Sequence, residues 1–335
     1  MDAVATRQPP ALAMASDFSA LDLYSSSILR GERGGPLLLG DKIIDGVCGG
    51  VGCCITEVAG AAGSGKTLFC MLLALQCGLG VAHGGAGART AYICCGEGRF
   101  PASRLAQLAA DYEQRYGVAQ ASLMESVSIV QLPNSEEVFD TVLTRIPEMC
   151  HSGGVRLVVI DSIAGMFRGE YETKSSGDMA IRTTLLFRFS SELKRIADTY
   201  NTRVVIVNQV TDGFRGDASV DKDCVPALGL AWSHCVNKRL LLSRDARRAF
   251  SAADGAPLLA GTRSPDDNNN NNNNENEHEN ENENENNNRD ADAESGDEPN
   301  SRRRALRRLS LLLSPDDAER SCLFEIRKEG IRGVV

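Results

Sequence analysis

The sequence contains no run of 18 apolar residues, which excludes a helix that crosses a membrane, so no membrane partner is expected. Its N-terminus has no charged segment followed by an apolar stretch, so nothing in it reads as a secretory signal. No pair of cysteines stands at C-x-x-C spacing, and the cysteine count of 11 is odd. Small buried thiols in a reducing compartment therefore fit better than zinc ligands or disulfides, and the expected location is cytosolic or nuclear. Aromatic residues are few, at 5%, while the hydrophobic content of 42% over 335 residues suffices for one large domain or two.

Charge is unevenly distributed. The formal net charge is -9, but residues 265–300 hold 13 acids against one Arg, so the remainder of the chain is slightly basic. An acidic whole-chain balance therefore does not exclude an anionic partner such as nucleic acid.

What is present is organised around Gly60 to Thr67, GAAGSGKT, which fits the P-loop pattern G-x-x-x-x-G-K-[ST]. A polyphosphate needs a tight turn of backbone N–H groups at a helix N-terminus, and only small residues permit that turn. Gly60, Gly63 and Gly65 supply it, with Ala61, Ala62 and Ser64 between them. Lys66 brings a positive charge to the outer phosphates, and the Thr67 hydroxyl is placed to complete the shell of a Mg²⁺ ion. Ile55–Ala59 reads as a β-branched strand, and Leu68–Cys77 as a helix apolar on all sides, which is the context the motif requires.

Upstream, residues 1–40 show no motif; Phe18–Leu29 reads as a short helix, and GDKIIDGVCGGVG from Gly40 as a glycine-punctuated lead-in to the P-loop strand. The glycine- and alanine-rich stretch from Gly78 to Ala88 reads as a mobile loop. Thr90–Cys95 is a second strand, followed by Glu97 and by Pro101 at a helix start. The expectation is that this strand lies next to the P-loop strand and carries Glu97 to where water would attack a γ-phosphate, the alternative being a solvated loop carboxylate. Ser126–Leu132 is a third strand and Ser135–Met149 a helix. Val155–Ile160 is an apolar strand closed by Asp161, the form of a Walker B acid that faces Mg²⁺ opposite the P-loop, or else a loop-capping Asp.

A helix over Asp178–Thr199 precedes a buried strand, Val204–Val207, which ends in Asn208 and Gln209, an amide able to sense a γ-phosphate. Val210–Pro226 reads as a loop with Phe214, Arg215 and Lys222, and Arg168 and Arg182 flank the segment after Asp161; these are either nucleic-acid contacts or ordinary solvated charges. His234–Ser243 is a further strand. An Asn/Glu-rich tract that cannot bury apolar surface follows, and strand signal returns at Arg303–Leu313 and Cys322–Lys328. The cluster from Arg302 is either a nuclear signal or arginines alternating outward along a strand. The expected division is an N-terminal segment (1–39), an ATPase core (40–245), a disordered insertion (246–301) and closing strands (302–335). The expected class is α/β, a mostly parallel sheet with helices on both faces and a C-terminal antiparallel meander.

In this order, the P-loop, the Glu-ended second strand, LVVID and VNQV resemble the RecA-type P-loop ATPase core. ITEVAGAAGSGKT, EGRFPASRLAQL, LVVIDSIAGMFRGEYE, VPALGLAWSHCVNKRLLLSR and FEIRKEGIRG are similar to the eukaryotic recombinases and their repair paralogues. The resemblance implies ATP and Mg²⁺ as ligands. It implies cradle contacts from Gly60 through Leu68, Thr67 and Asp161 at the metal, and Glu97, Lys66 and Gln209 in catalysis. It also implies a nucleotide contact from Arg104, which keeps the family spacing from Glu97 and Phe100. One residue is inserted between Tyr92 and Glu97 relative to the family, and the small helical domain usual there is replaced by about forty residues. The implied activity is a slow DNA-dependent ATPase, a subunit of a heteromeric paralogue complex that acts in homologous recombination repair of double-strand breaks and on branched, Holliday-type DNA. The implied partners are single-stranded or branched DNA, another paralogue subunit and the recombinase filament, with a nuclear and also a cytoplasmic location. The rival reading is an ATP-binding scaffold with little hydrolysis.

Overall fold

The computed structural model describes residues 35–96, 98–164, 176–212, 224–226, 228–250 and 304–334. The helix expected at Phe18–Leu29, the residues Glu97, Arg168, Phe214, Arg215 and Lys222, and the Asn/Glu-rich tract lie outside these residues. The chain divides into two units: one is formed by 1–243 with 307–335, and the other, 244–306, is described only at its two strand ends.

The first element is α1 (Lys42–Cys48), a helix within the glycine-punctuated lead-in that the sequence reading did not assign. Asp41 forms its N-cap, with Oδ1 accepting from the N–H groups of Ile43 and Ile44, and Gly49 closes it in the left-handed conformation at φ 62°. P-loop strand β1 (Ile55–Gly60) runs into α2 (Lys66–Gly78), whose side chains from Phe69 to Cys77 are all buried. Each fully buried Leu or Phe there contributes roughly 1.5–3 kcal/mol. The loop after α2 contains a 3₁₀ turn, Val81–His83, and is tied down where Gly87 and Ala88 donate N–H to the carbonyls of Leu79 and Cys77.

Then come β2 (Arg89–Cys95), α3 (Ala102–Tyr116), α4 (Gln120–Glu125) and β3 (Val127–Leu132). The helix expected over Ser135–Met149 is α5 (Ser135–Asp140), a wide π turn (Thr141–Arg145) and α6 (Ile146–His151). Pro147 cannot donate to a carbonyl one α-turn back, and the wide turn stands just before it. β4 (Val155–Asp161) and α7 (Ser176–Tyr200) follow. β5 (Arg203–Asp212) extends past the expected end at Gln209 and pairs antiparallel with β6 (Cys224–Pro226), so the ends of the expected loop are strand. α8 (Gly229–Ser233) comes next, and β7 (Lys238–Phe250) starts after His234, which instead caps α8. β8 (Arg304–Leu313), β9 (Arg320–Arg327) and β10 (Gly330–Val334) complete the chain, the last without a counterpart in the sequence reading.

The strands form one sheet in the order β10-β9-β8-β7-β1-β5-β4-β2-β3, with β6 beside β5. Pairings among β1, β2, β3, β4, β5 and β7 are parallel, while β8, β9 and β10 pair antiparallel, as the α/β reading expected. Side chains alternate between two cores. Val58, Val159, Val205 and Val207 join α1–α4 on one face, and Ile55, Ile160, Ile206 and Trp232 join α5–α8 on the other. The expected adjacency of β2 to β1 is overturned, since β5 and β4 stand between them. Parallel strands need long crossovers, so chain order does not set neighbours.

Candidate functional site

The C-terminal ends of β1, β4 and β5 converge, which is where open parallel sheets place ligands. β1 delivers Gly60, β4 delivers Asp161, and β5 delivers Gln209, whose Cα is register partner to Gly60. Gly60 is required by space, because a Cβ there would lie 2.3 Å from the Leu242 carbonyl oxygen. At Gly65, φ is +109°, and a Cβ would sit 3.1 Å from Cδ1 of Ile326. The loop Ala61, Ala62 and Gly63 between them is exposed. Helix α2 begins at Lys66 with no side chain capping its N-terminus, so its first N–H groups and the positive end of its dipole face that loop.

Lys66 is buried, and its ammonium donates to the carbonyls of Gly60 and Ala61, 2.8 Å from each. Burial lowers its pKa, against a smaller opposing effect from Asp161. The lysine thus folds back over its own loop and supplies positive charge at the cradle. Ser64 is also buried, and its Oγ has no hydrogen-bond partner among the described residues. Leu68 is half-buried in the first turn of α2.

The Thr67 hydroxyl donates to Oδ2 of Asp161 at 2.8 Å, and the Tyr92 phenol donates to that same oxygen, also at 2.8 Å. Hydroxyl and carboxylate form an all-oxygen donor pair of the kind Mg²⁺ prefers, and the tight glycines, the uncapped helix and the unpartnered Ser64 Oγ fit a phosphate chain. Residues expected from sequence at positions 60–68, with Asp161 and Gln209, are therefore brought together.

Arg104, in the first turn of α3, donates to Oε1 of Gln107 at 3.1 Å and to the Arg327 carbonyl at 2.9 Å. Arg327 follows Ile326, which packs on Gly65, so Arg104 is anchored at the rim of the cradle rather than inside it. Arg182 lies on α7, with its Nε buried and unpartnered among the described residues.

Three features escape the sequence reading. Leu242 and Ile326 form the wall against the glycines. Tyr92 reaches Asp161 from β2, and no motif in the sequence singles out its hydroxyl, since Thr90 carries another in the same strand. Behind β1 lies a buried polar cluster: the Glu57 carboxylate accepts from Asn208 Nδ2 at 2.7 Å, from Trp232 Nε1 at 2.9 Å, and from Arg239 in an ion pair.

Comparisons with known proteins place the chain in a family. A family model described as Rad51 matches residues 37–258. The chain is 30% identical over 322 residues to a protein named DNA repair protein XRCC3 homolog from Arabidopsis thaliana, covering 89% of this chain and 93% of that one. It is 32% identical over 243 residues to DNA repair protein XRCC3 from Mus musculus, 68% of each chain. To DNA repair protein RAD51 homolog 2 from Homo sapiens it is 33% identical over 217 residues, 58% of this chain and 56% of that one. With two thirds of its length under one family model and a relative alike from end to end, this chain belongs to the Rad51 family, a RecA-type paralogue with XRCC3-like character.

Proposed function

We propose that the chain binds ATP with Mg²⁺ at the joined ends of β1, β4 and β5, and acts in homologous recombination repair as a slow DNA-dependent ATPase within a heteromeric paralogue complex. The single observation that carries the nucleotide reading is the hydrogen bond from Thr67 to Asp161, which joins the end of the P-loop to the Walker B strand at 2.8 Å. The repair role rests on membership in the Rad51 family and on the names of relatives, several called DNA repair proteins.

In this reading the N–H groups from Gly60 to Leu68 hold the phosphates, and Lys66 exchanges its loop carbonyls for the β- and γ-phosphate oxygens. Thr67 and Asp161 hold the Mg²⁺, which when bound offsets charge developing on the phosphoryl oxygens. Gln209 senses the γ-phosphate from β5, Arg104 contacts the nucleotide from the rim, and Glu97 orients the attacking water. Single-stranded or branched DNA and a second paralogue subunit are the partners, with the recombinase filament and branched intermediates as the sites of action. The location is the nucleus.

A second reading, a nucleotide-holding scaffold with little hydrolysis, rests on the residue inserted between Tyr92 and Glu97 relative to the family, which would carry the carboxylate away from the attacking water. Single-turnover ATP hydrolysis by the parent and by Glu97→Gln, each with single-stranded DNA and the co-purified partner, separates the two. A fall of roughly 100-fold on substitution supports catalysis. Equal, near-background rates sink it and leave ATP as a structural ligand.

A further inference from the structure

The Asp161 carboxylate is held unevenly. Its Oδ2 accepts from both Thr67 and Tyr92, whereas its Oδ1 has no hydrogen bond among the described residues. The two donors differ in what they are free to do. Thr67 stands half-exposed at the start of α2, and its hydroxyl is the group that Mg²⁺ would claim in the proposed reading. Tyr92 is fully buried in the middle of β2, and its ring meets Phe100 edge-on with centroids 4.9 Å apart. A Phe would fill the same space with the same apolar burial. The phenolic oxygen is therefore explained only by its partner, because a buried hydroxyl without an acceptor costs about 1–3 kcal/mol. That partner is a carboxylate two strand positions from Val159, the register neighbour of Tyr92.

We infer that Tyr92 is a positioning residue for the metal side of the site: by occupying Oδ2, it fixes the rotation of the Asp161 carboxylate and leaves Oδ1 for the cation when Thr67 turns to it. The inference rests on the proposed nucleotide reading and adds to it the residue that orients the Walker B acid. A side chain that orients a carboxylate in this way changes metal affinity, typically by 10- to 100-fold on removal, while leaving the phosphate cradle intact.

The test is Tyr92→Phe in the full chain, read by binding of a fluorescent ATP analogue across a Mg²⁺ titration and again in EDTA. The expected result is a Mg²⁺ midpoint raised about tenfold or more, with metal-free binding as in the parent. Phe100→Leu serves as the packing control, since it loosens the Tyr92 ring without removing the hydroxyl. It should lower the melting temperature and keep the Mg²⁺ midpoint. An unchanged midpoint in Tyr92→Phe beside a normal parent overturns the inference alone, as does an equal shift in Phe100→Leu. A parent that shows no Mg²⁺-dependent binding overturns the nucleotide reading together with it.

Discussion

Asn208 donates its amide to the buried carboxylate of Glu57 across 2.7 Å, linking β5 and β1 just before the register pair of Gln209 and Gly60. Glu57 itself is fully buried and is offset by Arg239, which also donates to Ser233 of α8 at 3.2 Å. Removing one member of such a pair leaves a charge without its counter-charge in a low dielectric. Glu57→Ala should therefore destabilise the fold by about 3–5 kcal/mol in urea unfolding. A loss below ~1 kcal/mol would show that Arg239 finds water or another acceptor.

Lys66→Ala should abolish binding of ATP with Mg²⁺, measured by calorimetry, while the fold survives. Burial lowers the pKa of Lys66. Its charged form is disfavoured in the fold, so the lysine carries a stability penalty below its folded pKa that is relieved as pH rises toward the unfolded value of 10.5. Alanine removes the penalty at every pH. ATP binding as tight as in the parent would refute the P-loop assignment.

Alkaline pH should unfold the chain through its thiols. Burial pushes Cys48 and Cys77 from 9.0 to about 11, and Cys94 to about 12. Between pH 9 and these values the unfolded chain sheds protons that the native chain keeps. The stability from these groups is therefore complete below pH 9 and is lost as pH rises through the folded values. Melting temperatures recorded from pH 8 to 11 should fall, and Cys77→Ser should shallow the slope. A flat profile would contradict the burial of these thiols.

Deleting Pro265 to Asn300 should leave the melting temperature and ATP affinity nearly unchanged. A tract too polar in sequence to bury apolar surface should contribute only closure entropy, about 0.6 kcal/mol per doubling of loop length. A large drop in melting temperature would mean that the tract packs on the core.

Much of the fold is legible where a chemical requirement and an apolar pattern coincide. Gly60–Thr67 between a β-branched strand and a buried helix can satisfy few other arrangements, and Val155–Asp161 is as constrained by its run of four apolar residues, Leu157–Ile160, closed by an acid. The reading fails where one signal masks another. In α1 the abundant glycines outweighed Asp41, although an Asp followed by Ile43 and Ile44 and closed by Gly49 is a capped helix. Strand adjacency fails for a different reason: β2 is the next strand after β1 in the chain, yet crossovers seat it beside β4. Tyr92 is not legible as a site residue because no motif ties it to Asp161, whereas the P-loop and Walker B patterns tie Thr67 to the same carboxylate over a longer separation.

The wall of the P-loop draws on parts of the chain far from it in sequence. Gly60 is backed by Leu242 and Gly65 by Ile326. A chain that contains every P-loop residue therefore still lacks one side of its cradle until β9 has docked, and a stop codon ahead of Ile326 would keep the motif while leaving the cradle open on that side.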